Sequence, residues 1–226
     1  MMKQAWWKIL AFVLLMYTCT YGFLVQVPKL DDRMQESIRN LFFHVPMWFG
    51  MTILMTVSVI YSIKYLNKHN ATHDIYASSY AAIGSLFALL GLLTGAIWAN
   101  YQWGKPWSGD PKQNGAAIAL LIYFAYFVLR GAVQDEEKRA RIGAVYNIFA
   151  YCLLFPTLFI LPRLTESLHP GGQGSEGNPG LNGSDLDPRM RLVFWPAVIG
   201  WTLLGVWIAT LRIRLRLLTE KRLANA

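Results

Sequence analysis

Residues 76–99 read YASSYAAIGSLFALLGLLTGAIWA, twenty-four positions without one charged side chain. A bilayer core about 30 Å thick needs around 20 largely apolar residues per helix, and this stretch meets that length. Five further apolar runs share the chain with it, at roughly 5–26, 41–64, 115–134, 142–162 and 192–211. Soluble cores seldom contain one run so long. In lipid every backbone N–H and C=O needs an internal partner, so each run is expected to be a helix. The expected fold is therefore all-α: a polytopic integral membrane protein with six transmembrane helices, forming a single membrane domain over 1–226.

Composition agrees. Only 15% of residues are charged, against about a quarter in soluble domains, and those charges cluster between the runs. The first run could be a signal peptide, since Lys3 and Lys8 lead it. The following TCTYGFLVQVPKL offers no small-x-small cleavage site, so a retained helix is expected. Cys19 and Cys152 fall within apolar runs and read as packing residues, not as a disulfide or metal pair. There is no C-x-x-C-H and no G-x-x-x-x-G-K-[ST], so the chain is not itself a c-type cytochrome and carries no ATPase loop.

Six helices place both termini on one side, and the distribution of basic residues says which. The N-terminus, the 64–74 and 130–141 connections and the C-terminal tail hold thirteen Lys and Arg against five acids; the other three loops balance at eight each. The whole net charge of +8 lies on one face, so both termini are expected to be cytoplasmic. Anionic head groups account for this face, and no nucleic acid is needed.

Three segments then meet on the outer side. One is SIRNLFFHVPMWFGM, carrying His44 one turn into an apolar run. Another is WGKPWSGDPK, residues 103–112, and the third is the long glycine-rich connection carrying His169. A titratable ring at a membrane boundary marks a functional site by default; the plainer reading is an interfacial histidine bonded to a carbonyl. His169 alone is an ordinary loop residue. Together, two neutral imidazoles approaching from opposite sides can form an axial pair for haem iron. Trp98, Trp103 and Trp107 lie on the same face and can wall a flat macrocycle, although interfacial belts also collect tryptophan.

The segment TGAIWANYQWGKPWSGDPK, Thr94 to Lys112, resembles the tryptophan-rich "WWD" signature of the CcmC and CcsA proteins of cytochrome c biogenesis. R-x-x-x-x-H-V-P, Arg39 to Pro46, is similar to the CcmC element bearing the first outer histidine. S-L-H, Ser167 to His169, followed by D-P-x-M-R at Asp187 to Arg191, is similar to the element bearing the second. Order, helix number and loop sides agree over nearly the whole chain, and its length favours CcmC. Gly109 stands where the family commonly has a further tryptophan, and Lys112 where an arginine is common; a lysine keeps the charge but loses the planar fork.

The resemblance implies a multi-pass protein of the bacterial cytoplasmic (inner) membrane that carries haem b as cargo. His44 and His169 would be axial ligands and Trp98, Trp103 and Trp107 the platform. Asp110 would position the loop over 100–114 by accepting backbone or lysine hydrogen bonds. Arg39, Lys112 and Arg191 would partner the propionates. The implied partners are a periplasmic haem chaperone and other maturation subunits of the membrane, including an ABC-type complex. The glycine-rich loop over 163–191 would make His169 the labile ligand. A haem lyase of the CcsA kind, attaching haem directly to apocytochrome c, shares the same signature. A transporter with an aromatic vestibule is a third reading, but no span carries a buried carboxylate, which such proteins place near the midplane.

Overall fold

The computed structural model describes residues 5–30, 32–169 and 186–225. No strand occurs among the described residues, and six helices are long and apolar enough to cross a membrane. We label them α1 (Trp6–Leu24), α2 (Leu41–Lys68), α3 (Ala71–Trp103), α4 (Pro111–Ala132), α5 (Glu136–Phe155) and α6 (Pro188–Ala224). Two short turns, Asp32–Gln35 and Ser37–Asn40, lead into α2. A π-helical turn, Pro156–Ile160, and a last turn, Leu161–Leu164, extend α5.

Several helices outrun the apolar stretch that announces them. At 37 residues, α6 spans about 55 Å at 1.5 Å per residue, well beyond the hydrocarbon, and carries the arginine-rich tail with it. Hydropathy marks only the portion in lipid, whereas polar caps set the ends. Asn70, Asp110, Asp135 and Asp187 each accept a backbone N–H of the first turn, from Thr72, Lys112, Lys138 and Arg189 at 2.7–2.9 Å. After Asp110 and Asp187 the first helical position is proline, whose missing N–H costs nothing there. The outer loop expected over 100–114 is therefore shorter. Helix α3 continues through Trp103 and ends on Gly104, in the left-handed conformation at φ 75°, leaving 104–110 as the connection.

Helix α2 is central: it packs along α3 over most of its length and also touches α5 and α6, while α1 leans on α6. At the end that holds the termini, Arg130 grips Asp74 through two 2.7 Å bonds, and Arg216 donates to Ser78 at 2.8 Å. The other three connections gather at the opposite end. There Gln102 donates to the Arg33 carbonyl and to Ser37, and Arg189 donates to Gln26. Cys19 and Cys152 are free thiols on exposed surface, which corrects the expectation that they pack inside. A uniformly apolar run does not distinguish its lipid face from its core face.

Candidate functional site

At the end opposite the termini, α2, α3, α4 and the π-turn of α5 enclose an apolar cavity of about 250 Å³, bordered by both His44 and His169. That is near the lower limit of small-molecule sites, roughly 300–1,000 Å³.

His44 is seated by helix packing. Its Nδ1 lies 2.9 Å from the Gly91 carbonyl, which can only accept, so Nδ1 carries the proton and Nε2 keeps the lone pair. The Thr94 hydroxyl oxygen sits 3.2 Å from the same nitrogen. The ring fits because α3 presents glycine beneath it: a Cβ at Gly95 would stand 2.7 Å from His44 Cε1, and one at Gly91 2.9 Å from the Trp48 ring. The interfacial-histidine reading and the ligand reading are thus compatible, because the carbonyl bond uses Nδ1 alone.

His169 is seated by hydrogen bonds. Its Nδ1 donates to Asp110 Oδ1 at 2.8 Å, and the Asp110 side chain has no exposed surface. The other carboxylate oxygen accepts from Ser167 Oγ at 2.9 Å and the Leu168 N–H at 2.7 Å. Burial alone would raise the Asp110 pKa. The His169 ring, the Leu168 N–H, the Ser167 hydroxyl and the Lys112 N–H outweigh it and hold the carboxyl below its ordinary value. Burial pushes the His169 ring below the usual imidazole range, against the pull of Asp110. The contact is therefore a neutral imidazole donating to a carboxylate, and again Nε2 keeps its lone pair. Asp110 does more than the expected loop positioning, since it joins the tryptophan loop to the second histidine.

Of the three tryptophans, Trp98 and Trp107 border the cavity. Trp103 does not; it stands edge-on to the His169 ring, centroids 4.9 Å apart at 77°, and edge-on to Trp98 at 5.5 Å. It buttresses the imidazole, since the last turn of α3 aims it at the loop and not at the cavity. Trp48 takes a place in the wall that the sequence did not assign. Its signal was spacing: four residues after His44 on a helix puts it on the same face. Gln113 was also missed. Its amide ties the loop to α4 by accepting from Ser108 N and Oγ, both at 2.9 Å, and donating to the Pro106 carbonyl at 3.1 Å.

The basic residues separate. Lys112 borders the cavity. Arg39 does not: its guanidinium donates to the Gly22 and Val25 carbonyls at 2.9 and 2.8 Å and to Glu36 at 2.7 Å. Those carbonyls are at the open C-terminal end of α1, where a cation is favoured, so Arg39 caps a helix and the propionate reading gives way. Arg191 also lies away from the cavity and donates to the Leu186 carbonyl at 2.9 Å. Gly109 adopts φ 79° with open space around it. The backbone there, and not crowding, explains why a bulky residue is absent. The glycine-rich part of the loop expected over 163–191, residues 170–185, lies outside the described residues.

Fold and site define a polytopic helical membrane protein with an apolar, two-histidine cavity at one end of its bundle. The family model described as Heme exporter protein C, CcmC, matches residues 1–226, and the chain belongs to that family. Its relatives include Heme exporter protein C of Bradyrhizobium diazoefficiens, 28% identical over 193 residues, 84% of this chain and 71% of that protein. The Escherichia coli K12 protein of the same name is 24% identical over 225 residues, 96% and 85% of the two chains. The CcsA cytochrome c biogenesis protein of Pelargonium hortorum is 38% identical over 93 residues, 41% of this chain and 29% of that protein.

Proposed function

We propose that this chain binds haem b as cargo between His44 and His169, on the non-cytoplasmic face of the bacterial inner membrane, and passes it to a haem chaperone during c-type cytochrome maturation. The observation that carries this reading is the pair of imidazoles bordering one apolar cavity, each committed through Nδ1 and so offering Nε2 to iron. Trp48, Trp98 and Trp107 supply walls for the porphyrin, and Lys112 is the cation for a propionate. The uneven charge between the two ends supports cytoplasmic termini and hence an outward-facing site. Haem held at this end of the bundle would present an edge for a periplasmic chaperone to grasp. Other maturation subunits, among them an ABC-type complex, would assemble around the chain.

A visible absorption spectrum of the purified protein tests the reading. A bis-imidazole haem spectrum is expected, and it should vanish in His44→Ala/His169→Ala; haem content unchanged in that double variant would reject the site. The CcsA relative covers less than half of this chain, whereas the match to the exporter family is complete, so handover is preferred to direct attachment.

A further inference from the structure

Resting on that haem reading, we propose that Asp110 is the positioning residue of the second imidazole, and that its charge makes His169 the stronger electron donor of the two ligands. The two rings are held differently. His44 donates Nδ1–H to a neutral carbonyl, Gly91, at 2.9 Å. His169 donates Nδ1–H to a carboxylate at 2.8 Å. A hydrogen bond to an anion is about twice as strong as one between neutral partners, and it transfers more negative charge into the ring. An imidazole polarised this way is more basic at Nε2 and binds the metal harder.

The burial of Asp110 supports the effect, because its side chain has no exposed surface and water does not compete directly for its oxygens. Its oxygens also organise the whole tripeptide: Ser167 and Leu168 share one, His169 and the Lys112 N–H the other. Ser167 Oγ in turn accepts from the His169 N–H at 3.2 Å. His169 therefore docks and undocks with Asp110 as a unit. Its release during handover comes from opening this latch, not from a weak iron bond, and while latched it favours ferric over ferrous haem.

Asp110→Asn is the informative variant. Asparagine is as good an N-cap as aspartate, so α4 still starts at Pro111, while the charge is lost and an amide nitrogen replaces the oxygen that accepts from Ser167 and the Leu168 N–H. With haem bound to the full-length protein in detergent, the bis-imidazole spectrum should persist. The midpoint potential should rise by a tenfold shift in the oxidised-to-reduced ratio, about 59 mV for one electron. In the haem-free protein, diethyl pyrocarbonate should modify His169 faster in the variant and His44 at the wild-type rate. An unchanged potential with an intact spectrum overturns the electronic role; unchanged labelling of His169 overturns the positioning role. If the variant retains no haem, the labelling alone decides. A wild-type protein without any bis-imidazole spectrum would instead sink the haem reading, a result the labelling experiment does not depend on.

Discussion

The seats of His44 and His169 solve the same problem by different means. His44 stands on a regular helix and is positioned by shape: α3 thins to glycine at 91 and 95, and the ring drops against its backbone. His169 stands in a loop and is positioned by a carboxylate from another loop, with Trp103 at its edge. A steric seat between two long helices is rigid because it moves only if the bundle moves. A hydrogen-bonded seat between two connections can open locally without moving the bundle. One cavity thus combines a fixed imidazole with a releasable one, which on the proposed haem reading suits a cargo that must leave.

The comparison can be broken most forcefully from the scaffold under the second seat. A Cβ at Gly115 on α4 would clash with the Thr157 carbonyl oxygen, in the π-turn of α5. Backbone cannot swing aside, so Gly115→Ala should cost at least the upper end of overpacking, about 3 kcal/mol. It should appear as a lowered unfolding temperature and faster labelling of His169. Gly95→Ala attacks the first seat. The added carbon meets the His44 ring, and a loss of about 1–3 kcal/mol in the folded or haem-bound state is expected. Haem absorbance should fall while labelling of His169 in the haem-free protein stays at the wild-type rate; a change at both histidines would mean the seats are not independent.

Arg39→Ala asks whether the guanidinium serves the fold or the cargo. Losing its charged hydrogen bonds to Gly22 and Val25 should lower stability by about 1.5–3 kcal/mol. Haem content at saturation should not change, and a specific loss of haem affinity without destabilisation would restore the propionate role. Lys112→Gln tests the cargo side: haem affinity should weaken by about two- to five-fold, the worth of one partly solvated ion pair. Cys152→Ser comes last, with a change in stability within about 0.5 kcal/mol, as for other exposed positions.

Much of the bundle was legible because the bilayer sets a crude rule. A run such as 76–99 has no other use in a folded chain, and six of them leave one architecture. The helix ends were less legible: α3 and α6 continue past the lipid on caps that hydropathy does not register. The candidate site was legible in its residue types, since His44, His169, Trp98, Trp107 and Lys112 come together around one cavity. Arg39 and Trp103 were not separable from these by pattern. A basic or aromatic residue near a site reads the same whether it faces the cavity or braces a neighbour.

What the sequence alone determined is what depends on solvent preference along one dimension: which segments lie in lipid, how many there are, and which loops share a side. Only the tertiary structure decided what depends on contacts between distant segments. That Asp110 meets His169 across 59 positions, and that Gly95 on α3 makes room for the His44 ring, are facts of packing. Hydrophobic burial acts on each segment's own composition, while a hydrogen bond of 2.8 Å exists only once two backbones have been placed to within a fraction of an ångström.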